Sequence, residues 1–403
     1  MKVCFETFGC RLNKAEALQM EAEYLAKGWE LTEKHADANL FIVRGCSVTA
    51  RAQRECENLI AHLRRRYPNT PVRTFGCLST SSKVREFEGS KVPLSETLKH
   101  SNLQTLKPSD PLPIRTARAY LKVQDGCSGK CTFCIVPKFR GNSVSVPFTE
   151  LLDRAKRFVD AGYREIVVTG CNLSLYASEN KRLPDLVSAL ADLTHGTSAC
   201  RIRLGSLEPG DCALETIRAM SGHDNVCRFL HVPIQSGSNR ILMAMKRPYL
   251  VRDIEALVTA ARKHLPNCGL GCDLMTGFPD ESEADFVMTR GLIERLPFNN
   301  AHIFPFSERP GTLAAAFGGS IPKSVRSSRA HSLSHQIKSA RKRYIRSFVG
   351  KTVEIVVESE EKTTGWTSEY VRCEAVGHAP RKSIVRIFVN RVDDDCLYGK
   401  VCA

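Results

Sequence analysis

Six cysteines are spaced in two ways that suit chemistry. In DGCSGKCTFCIVP, Cys127, Cys131 and Cys134 form a CxxxCxxC pattern. Three thiolates that close can wrap one face of a cubane iron–sulfur cluster and hold three of its four irons. The motif has no fourth cysteine, so one iron is left for a small molecule. Zinc more usually takes two separated CxxC pairs or a Cys/His mixture. Gly126 and Gly129 let the backbone fold tightly around such a group. The second set is dispersed. ETFGCRLN, IVRGCSVT and RTFGCLST each carry one cysteine after a glycine, at Cys10, Cys46 and Cys77. None has another cysteine within four residues, so each is a lone thiol in a turn.

The elements around them follow from periodicity. KVCFE at 2–6 and NLFIV at 39–43 read as buried strands. AEALQMEAEYLAKG between them has helical spacing and a glycine stop, giving a βαβ start. VTARAQRECENLIAHLRRRYP predicts a second helix, and PVRTFGC a third strand ending in a turn. Each lone cysteine then stands at the carboxyl edge of a small α/β sheet, where open sheets build sites. Leu78 to about Arg115 is polar and irregular, which predicts a helix or two and a linker. Strand-like runs recur at ARAYLKV, REIVVTG, CRIRLGS, RFLHVPI, CGLGCDLMTGFP and NAHIFPF, separated by helical stretches. That alternation predicts a parallel barrel or partial barrel. After Pro322 the chain reads as a basic helix. EIVVES, YVRCEAVG, SIVRIFVNRV and LYGKVC then predict a small antiparallel β-barrel. The expected α/β organisation is an N-terminal sheet domain over 1–105, a linker at 106–115, a central barrel over 116–348 and the small barrel over 349–403.

Composition narrows the setting. The 403 residues are 42% hydrophobic and 25% charged, as in a soluble globular protein. No apolar run approaches the roughly 18 residues of a membrane span. MKVCFETFGCRLNKAEALQM does not read as an export signal, so a cytoplasmic location without a membrane partner is expected. The 17 cysteines then suit a reducing compartment, as metal ligands or buried apolar groups rather than disulfides. Cys268 and Cys272 read as structural, and His231, between Leu230 and Val232, as a satisfied core histidine. The formal charge of +15 points to a polyanionic partner. Between Glu308 and Glu354 there is no acidic residue, while ten Lys and Arg occur, among them Lys338, Arg341, Lys342, Arg343, Arg346 and Lys351. Arg372, Arg381 and Lys382 extend this charge into the small barrel, where Trp366 and Tyr370 could stack on bases. RNA is the expected partner.

Phe133 before the last cysteine of CxxxCxxC resembles the radical S-adenosylmethionine (SAM) superfamily. KVQDGCSGKCTFCIVPKFRG, VVTGCNLSLY, RIRLGSLEP, HVPIQSGSNRILMAMKRPY, DLMTGFPDE and FPFSERPGT resemble, in order, the methylthiotransferase family within it. The three Gly-Cys turns are similar to that family's N-terminal domain, and the last fifty or so residues to its RNA-binding TRAM barrel. The resemblance covers essentially the whole chain. It implies two [4Fe-4S] clusters: a SAM-binding one on Cys127, Cys131 and Cys134, and an auxiliary one on Cys10, Cys46 and Cys77. These cysteines would be the catalytic set. Around SAM it implies Phe133, Thr169, Gly170, Asn172, Ser206, Glu208, Gln235, Ser236 and Gly277. It also implies an external flavodoxin- or ferredoxin-like electron donor and a sulfur source. The sequence departs from the family at Arg44-Gly45, where Asn-Thr is usual, and at Val144, Ser145 and Val146, where Arg-Ser-Arg is common.

TFGCRLNKAEA resembles the branch acting on N6-threonylcarbamoyladenosine (t6A) in tRNA, and the positive charge favours tRNA over a protein substrate. The implied reaction replaces the C2–H of that adenosine, at tRNA position 37, with a methylthio group. Alternatives are the isopentenyladenosine branch and the branch acting on a ribosomal-protein aspartate. Two further readings are a non-catalytic RNA-binding iron–sulfur protein and a radical SAM enzyme without the auxiliary cluster.

Overall fold

In the computed structural model, β1 (Lys2–Thr7) and β3 (Leu40–Gly45) pair in parallel, as their apolar runs demand. The structure describes residues 1–46, 50–77, 112–113, 116–196, 200–359 and 361–402. Most of the segment from Leu78 to Arg115, including all of the expected linker but Leu112 and Pro113, lies outside these residues. With β2 (Glu30–Leu31) and β4 (Val72–Gly76), the strands form a sheet in the order β2-β1-β3-β4. Every residue of β3 is buried, as expected for a central parallel strand. The register pairs Thr7 with Arg44 and Gly45 with Gly76, so three strands end level with one another. The Gly-Cys turns therefore emerge along one edge.

The six expected barrel strands all form. β5 (Arg118–Lys122), β8 (Glu165–Thr169) and β11 (Arg201–Leu204) make one parallel sheet. β12 (Phe229–Gln235), β13 (Gly269–Thr276) and β14 (Asn300–Pro305) make another. Single bridges, Ile202 to Val226 and Ser206 to His231, join the two sheets. Short hairpin pieces β6 (Gln124–Asp125) and β7 (Val144–Ser145) frame the cysteine loop, and β9 (Ala177–Ser178) pairs with β10 (Lys181–Arg182). Alternation sorts the strand faces: Leu270, Cys272 and Leu274 join the core shared with the outer helices, leaving Gly271 and Asp273 on the inner face.

A closed barrel follows, ordered β15-β16-β17-β19-β18. Its strands are β15 (Thr352–Ser359), β16 (Thr363–Thr367), β17 (Arg372–Val376), β18 (Ile384–Asp393) and β19 (Cys396–Val401). β16, TTGWT, has no aliphatic run and escapes a reading based on apolar alternation. Gly365 is required there, because a Cβ would stand 2.1 Å from the Val356 carbonyl oxygen.

This small barrel plugs the amino-terminal mouth of the partial barrel. Arg201 donates to the Glu354 carbonyl at 3.3 Å and to that of Trp366 at 2.5 Å. Arg203 donates to the carbonyls of Ser368 at 3.1 Å and Thr367 at 2.8 Å. Both guanidiniums are held by the fully buried Glu165 carboxylate. Arg118 pairs with Glu358 at 2.6 Å. The carboxyl ends of the strands thus face away from this small barrel. Among the described residues, no helix is long and apolar enough to cross a membrane.

Candidate functional site

The central cysteines lie on the loop after β6. Gly126 has φ +65° and sits where a Cβ would meet the Asn142 carbonyl oxygen at 2.0 Å. Only glycine fits that position. Cys127 N–H donates to the Gly141 carbonyl at 3.0 Å, closing the loop. A Cβ on Gly129 would stand 3.2 Å from Cys127 Sγ and 3.9 Å from Cys131 Sγ, so the bare backbone leaves a cradle beside two sulfurs. All three cysteines are partly exposed. Burial, with the neighbouring Cys131 and Cys127, pushes the Cys134 thiol up to about 11. Bringing Cys134 to the thiolate form therefore calls for a compensating positive group.

The other triad is assembled by the N-terminal sheet. Cys10 is exposed and caps the helix Arg11–Ala26, while Cys46 and Cys77 are buried. A Cβ on Gly9 would meet Cys46 Sγ at 3.1 Å, which shows how closely the first turn lies on the second. Asn13 ties the turns together. Its amide donates to the Phe8 carbonyl at 2.8 Å and the Gly45 carbonyl at 3.2 Å. Gly76, just before Cys77, lies against the same amide, its Cβ position 3.4 Å from Asn13 Oδ1. Burial pushes the Cys77 thiol up, and Arg140, hydrogen-bonded to it, pulls back.

The two regions are joined by a buried charge network. Glu16 meets Arg140 at 2.8 Å, Lys122 at 2.7 Å and also Arg44. Asp125, two residues before Cys127, meets Arg140 at 2.9 Å and Lys122 at 2.5 Å. Burial works against the Glu16 carboxylate, but Arg140, Lys122 and Arg44 together hold it well below the usual range. Arg44, one of the departures from the family pattern, is thus a member of this network, and it also donates to Met20 Sδ at 2.9 Å. Cys171 Sγ lies 3.7 Å from Asp125 Oδ1; burial pushes this thiol far up, so it is a poor thiolate ligand.

Several expected residues converge on the central triad. Asn172 donates to Glu208 at 2.8 Å, and its backbone N–H donates to Gln124 Oε1 at 3.0 Å. Glu208 pairs with Arg247, whose guanidinium reaches Cys131 Sγ at 3.0 Å. Gly170 packs against Gln124, and the Thr169 carbonyl accepts from Val123 N–H at 2.9 Å. Phe133 packs against the cluster of Ile241, Met245, Phe278 and Phe306. Ser206 is exposed at the carboxyl end of β11, and Gln235 is buried with φ +62°. Arg247 and Gln124 were not singled out in the sequence, although KRPY and KVQDGC contain them.

Other expected residues are otherwise occupied. Ser236 is fully buried, its hydroxyl 3.3 Å from Thr289 and accepting from Ser238 N–H at 3.1 Å. The Gly277 turn is covered by Arg326, whose side chain would lie 2.0 Å from a Cβ there. His231 is buried and paired with Asp273 at 2.9 Å, in a row with His302 at 3.1 Å from the same carboxylate. Cys268 and Cys272 are buried in the core.

The basic surface is smaller than the sequence implied. Lys338, Lys342, Arg343, Arg346, Lys351, Arg372 and Arg381 are exposed. Arg341 is buried, donating to Asp395 at 2.9 Å, and Arg329 meets Glu281 at 2.6 Å. Carboxylates distant in sequence thus neutralise charges that had no local partner. Lys382 is half-buried, 5.9 Å from the Tyr163 ring. Tyr370 does not offer a free face for a base: Phe229 lies at 4.8 Å and Trp366 stacks on it at 4.7 Å. Val146 is buried and Val144 exposed at the common Arg-Ser-Arg positions.

A bound metal can be tested against this geometry. Among the described residues, neither cysteine triad has all its sulfurs within 4.8 Å of one another. A tetrahedral ion with bonds of about 2.3 Å draws thiolates to roughly 3.8 Å apart, whereas a cubane spreads them over separate irons. The donor sets fit clusters better than single ions.

Residues 121–293 match the Radical SAM superfamily, and residues 2–93 match a family described as Uncharacterized protein family UPF0004. The chain is 32% identical to the "Threonylcarbamoyladenosine tRNA methylthiotransferase MtaB" of Thermotoga maritima, over 100% of this chain and 99% of that protein. It is 29% identical to a "tRNA-2-methylthio-N(6)-dimethylallyladenosine synthase" of Methylacidiphilum infernorum, over 89% of this chain and 85% of that one. Among solved structures, the radical SAM methyltransferase TsrM of Kitasatospora setae superposes with TM-score 0.55 at 13% identity, covering 75% of this chain and 72% of TsrM, a likeness of fold. With this fold, these cysteines and a full-length relative above 30% identity, the chain belongs to the radical SAM methylthiotransferase family and is an enzyme that works with an iron–sulfur cluster and SAM.

Proposed function

We propose that the protein replaces the C2–H of N6-threonylcarbamoyladenosine at tRNA position 37 with a methylthio group. The observation that carries this reading is the pairing of two cysteine triads through one buried network, Asn13–Arg140–Asp125, in a chain similar throughout to MtaB. Cys127, Cys131 and Cys134 would hold the SAM-binding [4Fe-4S] cluster, and Cys10, Cys46 and Cys77 the auxiliary one. When bound, the clusters would supply the electron and the sulfur, one SAM the hydrogen-abstracting radical and a second SAM the methyl group. The chain's own residues position them. Arg247 sets a positive charge against Cys131, and Glu208 with Asn172 orients that guanidinium from the ends of neighbouring strands. Arg140 does the same for Cys77. Burial pushes the Cys77 thiol up, and a charge-assisted contact of this kind favours its thiolate.

The exposed cations of the helix Lys323–Arg346 and of the small barrel, a TRAM-like domain in this reading, would carry tRNA phosphates. An external flavodoxin- or ferredoxin-like donor and a sulfur source complete the system. The domain division is that of the sequence reading, with a cytoplasmic setting. Mass spectrometry of tRNA nucleosides from cells lacking the gene tests it. Loss of the methylthio group from threonylcarbamoyladenosine alone is expected; loss from the isopentenyl nucleoside overturns it.

A further inference from the structure

Arg11 directly follows Cys10 and is half-buried. It turns away from the sheet edge and reaches the inner side of the partial barrel. Its Nη1 donates to the Leu204 carbonyl, at the carboxyl end of β11, at 3.2 Å. Its guanidinium carbon lies 5.5 Å from the centre of the Tyr370 ring, which Arg203 approaches to 5.2 Å. Arg11 therefore bridges the auxiliary cysteine turn, the carboxyl end of the partial barrel and the plug.

Its electrostatic situation differs from that of its neighbours. Arg44, Lys122 and Arg140 share Glu16 and Asp125. Arg201 and Arg203 share Glu165, and Arg247 has Glu208. Arg11 meets one backbone carbonyl and one ring, and no carboxylate among the described residues. A guanidinium has five N–H donors in a planar fork that matches a carboxylate. Next to a cysteine of the auxiliary triad, that fork is available.

We propose that Arg11 is the specificity-determining residue that binds the carboxylate of the substrate's N6 substituent. This rests on the threonylcarbamoyl reading above. The threonyl group ends in a carboxylate, whereas an isopentenyl group is uncharged and offers a guanidinium nothing. The Tyr370 ring, 5.5 Å from the guanidinium carbon, is a neutral neighbour that leaves the charge uncompensated.

The test uses the anaerobically reconstituted enzyme and anticodon stem-loop RNAs carrying threonylcarbamoyladenosine, its methyl ester or isopentenyladenosine. Binding by fluorescence anisotropy should favour the free acid over the ester in the unaltered enzyme, which needs no variant. Arg11→Gln should weaken binding of the acid about tenfold to a hundredfold, the range of a charge-assisted hydrogen bond, and erase the preference over the ester. Arg11→Lys should retain most of the preference. The loss should appear in KM rather than kcat. Iron content and thermal melting are compared in parallel, so that misfolding is recognised. If the preference for the acid survives in Arg11→Gln, or the unaltered enzyme treats acid and ester alike, the role of Arg11 is overturned while the t6A reading stands. If the unaltered enzyme prefers the isopentenyl stem-loop, the t6A reading fails, and this proposal with it.

Discussion

Arg140 donates to the side-chain oxygen of Asn13 at 3.2 Å, and this contact joins the two halves of the site. Asn13 belongs to the helix after Cys10, and Arg140 to the short helix after the central cysteine loop. Asn13 spends its two donor contacts on the carbonyls of Phe8 and Gly45, so its oxygen is free to face the guanidinium. One amide thereby fixes the turns of the first triad and their distance from the second.

Asn13→Ala should loosen the auxiliary triad selectively. Iron after anaerobic reconstitution is expected to fall from about eight toward about four per chain, the difference of one [4Fe-4S] cluster. Reductive SAM cleavage should persist while methylthio product is lost. An unchanged iron count would show that the turns are held by other contacts.

Glu16 is the anion on which three cations converge. Glu16→Ala leaves Lys122 and Arg140 with Asp125 alone, and Arg44 with no carboxylate among the described residues. Removing one partner from a buried ion network typically costs about 3–5 kcal/mol. Denaturant unfolding should show a loss of that order, checked with iron-free protein so that cluster loss does not contribute.

Glu165 gives a prediction in pH. Burial opposes its charge, but Arg203 and Arg201 hold the carboxyl well below the usual range. Its folded pKa is depressed, so its stabilising contribution is present above the unfolded value of about 4.3 and is lost as pH falls toward the folded value. Stability measured from pH 7 down to 3 should drop most steeply below pH 5. Glu165→Gln should be less stable at pH 7 and show a shallower acid slope.

Arg247→Gln removes the charge beside Cys131 and leaves Glu208 without its cation. Groups that support a metal ligand in this way are typically worth about 10–100-fold in affinity or activity. Anaerobic SAM cleavage, measured without RNA, should fall by that factor, and Arg247→Lys should recover part of it. Wild-type cleavage in Arg247→Gln would remove Arg247 from the site.

The exposed cations should be visible in salt dependence. Lys342→Ala with Arg346→Ala should weaken tRNA binding and lower the slope of log affinity against log salt by about 1–2. Arg341→Ala should instead lower thermal stability, because its partners are Asp395 and the Tyr370 carbonyl. A slope unaffected by the double variant would place the RNA face elsewhere.

By itself, the sequence determined whatever depends on neighbours along the chain. CxxxCxxC puts three thiols on one loop, the apolar runs of β1, β3 and the six barrel strands commit those segments to parallel sheets, and a glycine stands just before each lone cysteine, with φ +89° at Gly9 and +82° at Gly76. These are short-range effects of backbone freedom and side-chain alternation, and they are legible residue by residue. Only the tertiary structure decided which charges meet. Glu16 lies more than a hundred positions from Lys122 and Arg140, and Arg203 finds Thr367 across a comparable gap. The same closure of distant segments turned Arg341 and Arg329 inward and enclosed the Tyr370 ring. It brought no carboxylate to Arg11 among the described residues. Long-range electrostatics depends on which surfaces are brought together, and no local pattern encodes that. The site is therefore half written in motifs and half made by the packing of the N-terminal sheet, the partial barrel and the small barrel against one another.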